Sequence, residues 1–424
     1  MTTLLCLRTA VTVVFGAIAL PSAASELFSE SSGTLTTRNY YLDRDYKGAT
    51  PISAVREWAQ GFIFRANSGY TEGPLGFGLD VAGFTGVQLD SSPDRAGTGL
   101  LAYDPVTRDA RHEFSELGLT AKAKISETRL AFGTIQPQTP VVFGSPARLL
   151  PQTFRGVSVS SREIPKLALE AAYIDQVNQR DSSGYEDIVL AAPNGRFRPG
   201  TTSDRLVYGG GEYELKSNLM LKYYRAQLED VYVQDHVGLL HIGDLGVGKL
   251  KTDLRFFDSR DDGRALGGSV DNRYIGGMFT WLVGRHGLGA GYMELHGDTA
   301  LPYLGGGEPM VHSEGTMSSD FMNPNERTWL VRYDYNFGDW GLPGLNVMAR
   351  YLRGSDIDLP ALGGRSLNES SKDFELAYAV QSGALKGLGL KLRTNRYRNN
   401  LSRAASFRDA NETRVNIDYT WTLW

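Results

Sequence analysis

Apolar and polar residues alternate with a period of two along much of the chain. Between Glu116 and Ile125 every odd-numbered position is apolar, whereas the even-numbered positions are polar or glycine. Successive side chains of a β-strand point to opposite faces, so this stretch predicts a strand with one apolar and one polar face. The same alternation recurs at 58–64, 75–81, 167–173, 250–256, 275–283, 328–337, 345–351, 374–380 and 388–393.

The number and spacing of these segments favour one of two all-β architectures. In a soluble sandwich the apolar faces form a core, whereas in a transmembrane barrel they face lipid and the polar faces line the lumen. Counting the segments gives about 18 strands, within the range of bacterial barrels with an aqueous lumen. Short turns such as Ser126-Glu127 alternate with long polar connections. We therefore predict a single transmembrane antiparallel β-barrel with long connections at 90–111, 178–203, 297–325 and 354–372.

One segment, from Gly133 to Pro165, interrupts the alternation. Four prolines before its end remove backbone donors and break any strand ladder, and the segment is too apolar for a solvated loop tip. We expect an ordered loop at about 133–165 that folds inward and packs against the inner wall, bringing Arg148 and Arg155 with it. The prolines are Pro137, Pro140, Pro146 and Pro151, and the apolar residues include Val141, Val142, Phe143, Leu149, Leu150 and Phe154.

The N-terminus has the pattern of an export signal. Arg8 precedes an apolar run that ends at Leu20, and small residues follow up to Ala24. The run is too short to cross a bilayer as a helix, so residues 1–24 are predicted to be a signal peptide cleaved near Ala24. The barrel then comprises residues 25–424 and is expected in the outer membrane of a Gram-negative cell. Its predicted mature form has no cysteine, because the single one, Cys6, lies in the leader.

Composition argues against several other classes of protein. The formal net charge is -4, which disfavours nucleic acid as a partner. The six histidines show no metal-ligand spacing and no serine lies in a nucleophile elbow, so we expect no catalytic residues, no metal and no cofactor. The histidines are His112, His236, His241, His286, His296 and His312.

Strand parity places a set of cationic side chains on the polar faces. Arg or Lys facing lipid at mid-bilayer costs roughly 2–4 kcal/mol, so these cations are expected to face the lumen or lie near a rim. Rows of cations suit an anion-selective pore, although they also pair with acids on the same wall, here Asp80, Glu170, Glu375 and Asp418. The cations are Arg65, Lys222, Lys251, Arg255, Arg332, Arg350, Lys391, Arg393 and Arg414.

Several stretches together resemble one known family. RNYYLDRDY from Arg38, REWAQGFIFRANSGYTEGPLGFGLDVAG from Arg56, RLLPQTFRG from Arg148 and RYDYNFGDWGLPGLNVMARYLRG from Arg332 resemble the OprD-type substrate-specific porins of pseudomonads. The likeness covers the whole predicted mature chain in order. It implies an 18-stranded outer-membrane barrel with an inward-folded third loop, a narrow constriction and a ladder of basic side chains that guides small carboxylates.

The resemblance also implies roles for individual residues. Arg148 matches the constriction arginine of the family's inserted loop, and Lys391 and Arg393 match its basic pair on the penultimate strand. Arg414 matches the basic residue that opens the final strand, and Asp320 matches a loop acid facing the ladder. Parity and spacing add two further ladder members, Arg65 and Arg350. The sequence departs from the family at Ala377, where some members have lysine, so a specificity for basic amino acids is not carried over.

These observations lead to one functional expectation and two alternatives. We expect a non-enzymatic, substrate-selective porin for passive diffusion of small carboxylate solutes, which are aromatic acids, aliphatic acids or amino acids. The alternatives are a non-selective general porin and an outer-membrane barrel enzyme. Expected partners are the solutes together with outer-membrane lipid and lipopolysaccharide, and the barrel is expected to be a monomer or a loose homotrimer.

Overall fold

A computed structural model describes residues 25–48, 52–362 and 364–424. The predicted signal peptide, 1–24, lies outside the described residues and stays a prediction. No helix in the described part is both long and apolar enough to cross a bilayer. The helical elements of the described residues are α1 (Ser25–Ser29) and three 3-10 turns at Pro193–Gly195, Phe337–Trp340 and Pro360–Leu362.

Strands make up most of the described chain. The first eleven are β1 (Ser32–Tyr46), β2 (Ala54–Asn67), β3 (Gly76–Asp90), β4 (Glu113–Ile125), β5 (Thr128–Ile135), β6 (Thr153–Ser161), β7 (Leu167–Asn178), β8 (Tyr185–Glu186), β9 (Ile188–Val189), β10 (Thr202–Ser203) and β11 (Leu206–Lys216). The remaining ten are β12 (Leu219–Leu228), β13 (Tyr232–Asp244), β14 (Lys249–Asp261), β15 (Asp271–Val283), β16 (His286–His296), β17 (Arg327–Asn336), β18 (Leu345–Leu359), β19 (Gly364–Ala379), β20 (Gly389–Asn399) and β21 (Ala410–Thr422).

The long strands form one closed antiparallel barrel. Each pairs with its neighbours in chain order, and β1 pairs with both β2 and β21, which closes the ring. The sheet contains 19 strands, of which β8 is a two-residue addition at the edge of β7, so eighteen strands form the wall. Closure leaves no unpaired edge, as a barrel in lipid requires. The predicted fold and the predicted strand count are confirmed.

The alternating pattern orients the strands as predicted. On β4 Leu117 and Leu119 are exposed on the outside of the barrel, and on β17 Trp329 and Val331 are exposed in the same way. A wide outer band of exposed apolar and aromatic side chains results, which suits contact with lipid. Trp281, Trp421 and Tyr333 belong to this outer surface.

The loops differ in length between the two rims. One rim carries tight turns such as 126–127, 217–218 and 284–285, and the other carries the long connections 91–112, 136–152, 179–205 and 297–326. The predicted connection at 354–372 is wrong, because β18 continues to Leu359 and β19 begins at Gly364. The pairing of β18 with β19 is irregular between Gly354 and Leu359, so the strict period-two signal is lost there.

The inserted loop is shorter than the sequence suggested. It comprises residues 136–152, whereas Thr153–Ser161 is strand β6, paired with β5 and β7. The assignment of all of 133–165 to a loop is therefore wrong. The physical reason is that the last proline of the main cluster is Pro151, so the following backbone donors are free to join the ladder. Val157 and Val159 then resume the alternation on the outer face.

Apolar packing inside the barrel holds the inserted loop in place. Leu149 and Leu150 are buried against Leu42 and Phe84 of the inner wall, in one of two apolar clusters. Val141 and Val142 belong to the other cluster, which also contains Leu301 and Leu304 of the long loop 297–326. We call this second loop the capping loop. The expected inward packing of the inserted loop is confirmed, and the capping loop packs with it.

Candidate solute constriction

Polar contacts with the inner wall complement the packing of the inserted loop. Arg38 of β1 donates from Nη1 to the carbonyl oxygen of Arg148 at 2.9 Å and to that of Pro146 at 3.3 Å. Arg65 of β2 donates from Nη2 to Oε1 of Gln136 at 2.6 Å. Arg65 therefore faces the lumen as predicted, but its hydrogen bond positions the inserted loop.

Five further arginines of the inner wall, on β14, β18, β20, β21 and β1, hold the capping loop by its backbone. Each donates a hydrogen bond to a backbone carbonyl oxygen of that loop. The loop backbone is therefore bound along a row of arginine side chains. A charge-assisted hydrogen bond of this kind is stronger than a neutral one. The pairs are Arg255 with Met310 at 3.0 Å, Arg350 with Glu314 at 2.9 Å, Arg393 with Gly315 at 2.6 Å, Arg44 with Met317 at 3.1 Å and Arg414 with Met317 at 3.0 Å.

The two loops enclose a cavity of about 260 Å³ inside the barrel. Its lining is unusually rich in arginine for a space of this size. Four of the predicted site residues line it, namely Arg148, Arg393, Arg414 and Asp320. The other charged residues of the lining are Arg44, Arg180, Glu308 and Glu314.

Arg148 is, with Arg180, one of the two arginines of this cavity that form no ion pair with a described carboxylate. It is half-buried and donates from Nε to the carbonyl oxygen of Thr98 at 3.3 Å. Within the described ranges no carboxylate forms an ion pair with it. Its Nε and the Nη2 of Arg180 both lie beside Gly99, 3.8 and 3.7 Å from the place where a Cβ would be. Burial, followed by the positive charges of Arg414 and Arg180, lowers the pKa of Arg148 well below its usual value.

Two further arginines share a single acid. Nε of Arg44 lies 2.6 Å from Oε2 of Glu412, and Nε of Arg414 lies 2.5 Å from Oε1 of the same carboxylate. Arg414 is buried, so its predicted place on the inner wall is correct, but the capping loop covers it. Two guanidiniums, those of Arg44 and Arg414, thus share the charge of Glu412.

The basic pair of β20 differs in accessibility along the wall. Nζ of Lys391 lies 3.7 Å from Glu375 with 47% of its side chain exposed, whereas Nε of Arg393 lies 3.1 Å from the same acid with 17% exposed. One carboxylate thus faces two cations, and a surplus of positive charge remains. Both residues face the lumen, and Arg393 also lines the cavity.

Arg350 and Asp320 have structural partners that the sequence did not reveal. Arg350 is buried and pairs with Asp373 at 2.7 Å, besides its bond to the capping loop. Asp320 accepts hydrogen bonds from both terminal nitrogens of Arg196 at 2.7 Å and from the hydroxyl of Tyr303 at 2.8 Å. Arg196 therefore neutralises the charge of Asp320. Although Asp320 lines the cavity, its carboxylate is largely occupied by these partners.

Most of the remaining cations form ion pairs with acids on the same wall, which the sequence analysis gave as the alternative to solute binding. Lys222 pairs with Glu212 at 2.6 Å, Arg255 with Asp253 at 2.8 Å and Arg332 with Asp334 at 2.7 Å. Of the acids named from sequence, Asp418 pairs with Arg38 at 3.1 Å and Asp80 with Lys122 at 2.5 Å. These pairs lower the net positive charge of the wall outside the constriction. Among the described residues no group of three or more His, Cys, Asp or Glu side chains is arranged to hold a metal.

Sequence reasoning missed four arginines of the site, namely Arg38, Arg44, Arg180 and Arg196. On β1 the inner face also carries Tyr40 and Leu42, which are buried beneath the inserted loop. The apolar face of a barrel strand is expected to point outward, so β1 gave no clear parity. Arg180 and Arg196 lie in the connection 179–205, where no strand period applies. The fragment RNYYLDRDY, already notable for its charges, was the one available signal for Arg38 and Arg44.

Comparison with known proteins gives a consistent result. The family model described as an outer membrane porin of the OprD family matches residues 25–423. The porin-like protein GalP of Pseudomonas putida is 34% identical over 407 residues, which are 95% of this chain and 95% of that protein. Porin D of Pseudomonas aeruginosa is 31% identical, covering 94% of this chain and 93% of that protein.

Solved structures agree with the sequence relatives. The crystal structure of OccAB2 from Acinetobacter baumannii has a TM-score of 0.90 and 45% identity, covering 94% of this chain and 100% of that one. The crystal structure of OpdK from Pseudomonas aeruginosa with vanillate has a TM-score of 0.86 and 36% identity, with the same coverage.

Proposed function

Since the chain belongs to the OprD family of outer-membrane porins, we propose that it is a passive channel selective for small carboxylate solutes. The observation that carries this proposal is Arg148, a half-buried guanidinium in the constriction without a carboxylate partner among the described residues. A guanidinium fork binds a carboxylate through two parallel hydrogen bonds. A solute carboxylate is therefore the natural counter-ion for this position.

The other cations extend the path on either side of Arg148. Lys391 is half exposed in the lumen, and Arg393 lies two residues further along β20 at the edge of the cavity. Both share Glu375, so each attracts an anion more weakly than a free cation would. Passage requires sites that bind strongly enough to admit the solute and weakly enough to release it. A row of partly compensated cations meets both requirements.

The relatives support the same solute class. Vanillate, the molecule in the OpdK structure, is an aromatic carboxylate. The fold and family place the barrel in the Gram-negative outer membrane, where the short turns face the periplasm and the long loops face the exterior. Passive diffusion down a gradient then needs no bound energy source.

Uptake into liposomes tests this proposal directly. The purified protein is reconstituted, and entry of a panel of aromatic and aliphatic carboxylates is compared with entry of their uncharged amides. We expect the wild type to favour the carboxylates and Arg148→Ala to lose most of that preference. Lys391→Ala is expected to reduce the carboxylate rate by a smaller factor, since Glu375 already compensates part of its charge.

Arg155→Ala is the matched control for Arg148→Ala. Arg155 is only seven positions away in sequence, but it is exposed and pairs with Asp175 at 2.8 Å. The control removes the same charge without touching the cavity, so it should leave selectivity unchanged. Equal entry of acids and amides in the wild type would show a general porin, and an unaltered preference in Arg148→Ala would contradict the role of that residue.

A further inference from the structure

The outer wall of β18 to β20 carries a group of cations that the channel does not use. Lys372 of β19 is directly opposite Arg396 of β20 in the strand register, and on its other side it is opposite Tyr351 of β18. Arg353 lies two residues beyond Tyr351 on β18, next to this row. We call Arg353, Lys372 and Arg396 the outer cation cluster.

Burial shows that all three side chains point away from the lumen. On β19 the flanking residues Ser371 and Asp373 are buried, whereas Lys372 is exposed. Arg396 is exposed between two buried residues of β20, and Arg353 is exposed between two buried residues of β18. Because alternate residues of a strand face opposite sides, the cluster faces the surroundings of the barrel.

The cluster lacks counter-charges. Within residues 25–48, 52–362 and 364–424, no carboxylate forms an ion pair with any of its three members. Nζ of Lys372 lies 5.9 Å from the centre of the Tyr351 ring, which is a cation–π contact and supplies no negative charge. Like charges directly opposite on neighbouring strands destabilise a sheet unless an anion lies between them.

Two cations elsewhere on the outer wall have carboxylate partners. Arg225 of β12 donates to both oxygens of Asp235, at 2.9 and 3.1 Å, and Arg273 of β15 donates to Asp258 at 3.2 Å. These arginines lie toward the same long-loop rim and are exposed as well. Arg225 and Arg273 thus have acidic partners on the outer wall, whereas the outer cation cluster has none among the described residues.

The height of the cluster identifies what it meets in the membrane. Phe374 and Leu392, with Tyr351, belong to the outer apolar band. Lys372 lies one outward-facing position beyond Phe374, toward the rim that carries the long loops. Arg353 is likewise one outward-facing position beyond Tyr351. The cluster therefore lies just above the hydrocarbon band on the external side, where lipid headgroups are found.

We propose that the outer cation cluster binds the phosphate groups of lipopolysaccharide, the phosphorylated glycolipid of the outer leaflet. Phosphates would lie between Arg353, Lys372 and Arg396, and the acyl chains would lie along Tyr351 and Phe374 below. Arginine suits this role because its fork matches a phosphate in two hydrogen bonds. The site is on the outside of the wall, so it is independent of solute selectivity.

Binding of purified lipid A to the full-length mature barrel in detergent tests the proposal. Bisphosphorylated lipid A is titrated against the wild type and the variant Lys372→Ser/Arg396→Ser, and enzymatically dephosphorylated lipid A is titrated in parallel. We expect the wild type to bind the phosphorylated form and the variant to bind it about 25-fold more weakly, from about fivefold for each surface cation. Dephosphorylation should weaken binding to the wild type but have little effect on the variant.

Arg225→Ser/Arg273→Ser is the matched control, because it removes the same charge from the outer wall at two ion-paired positions. It should bind lipid A like the wild type. Heat-modifiable mobility on gels verifies that each barrel is folded, and Lys372→Arg/Arg396→Lys, which keeps the charge, should retain binding. Equal affinity of wild type and variant, or equal binding of phosphatidylglycerol and lipid A, would overturn the proposal. So would a changed oligomer mass with unchanged lipid binding, which would identify the sector as a contact between copies.

Discussion

Arg44 of β1 and Arg414 of β21 lie on neighbouring strands and bind the same two partners. Both guanidiniums pair with the carboxylate of Glu412, and both donate to the carbonyl oxygen of Met317 in the capping loop, at 3.1 and 3.0 Å. The junction where β1 meets β21 is therefore also the point where the capping loop is attached. One buried charge group thus attaches the capping loop to the seam at which the barrel closes.

The charge balance of this group predicts an asymmetry between two substitutions. Glu412→Gln leaves two neighbouring arginines without their carboxylate, and removing one partner from a buried pair typically costs about 3–5 kcal/mol. Arg44→Gln leaves Glu412 paired with Arg414, so the loss should be clearly smaller. Thermal unfolding of the purified variants, followed by circular dichroism, measures both effects. A larger loss for Arg44→Gln than for Glu412→Gln would contradict the shared-carboxylate arrangement.

Asp320 offers a test between a structural and a solute-binding role. Only 1% of the side chain of Arg196 is exposed, so Asp320→Asn removes the carboxylate partner of a buried guanidinium. We expect the connection 179–205 and the capping loop to separate more easily, which limited proteolysis of the folded barrel detects as faster loop cleavage.

The double variant Arg196→Met/Asp320→Asn serves as the control for this prediction. It also removes the guanidinium that Asp320→Asn leaves buried and unpaired, so the rate of loop cleavage should return toward that of the wild type. If Asp320→Asn instead leaves cleavage unchanged and selectively slows solutes that carry an ammonium group, the residue acts on solute.

A buried acid at the base of the capping loop predicts a dependence of stability on pH. Glu326 accepts the backbone N–H of Asn323 at 3.0 Å and its side-chain amide at 2.9 Å. Burial, followed by the charge of Glu369, raises the pKa of Glu326 well above its ordinary value of 4.5. The folded state therefore retains a proton that the unfolded chain releases, and this site loses stability as the pH rises through the folded pKa.

Thermal unfolding of wild type and Glu326→Gln between about pH 5 and about pH 9 measures this contribution. The wild type should lose stability relative to the variant as the pH rises, because Gln cannot ionise. Glu113→Gln, an exposed acid at the start of β4, should follow the wild-type profile. Parallel profiles for wild type and Glu326→Gln would show that Glu326 does not carry the effect.

The barrel itself was predictable because its physics is local. A strand between lipid and water needs an alternation of period two, and that pattern can be read from neighbouring residues such as Leu117, Leu119 and Ala121 without knowing the fold. The same pattern correctly oriented Lys391 and Arg393 toward the lumen. It failed where a strand leaves the membrane, as at 354–372, and where a proline-rich loop gives way to a strand, as at Thr153.

Charge pairing and loop attachment were not predictable because they join residues far apart in sequence. Arg44 meets Glu412 and Arg196 meets Asp320 only once the barrel has closed and its loops have folded inward. The lumen-facing apolar residues Tyr40 and Leu42 also reverse the usual rule, since the inserted loop gives the inner wall a core of its own. By itself the sequence determined the barrel, which faces of its strands point outward and the type of charge on its inner wall. The tertiary structure decided which of those charges hold the loops, as Arg393 and Arg414 do, and it left Arg148 of the inserted loop without a carboxylate partner among the described residues.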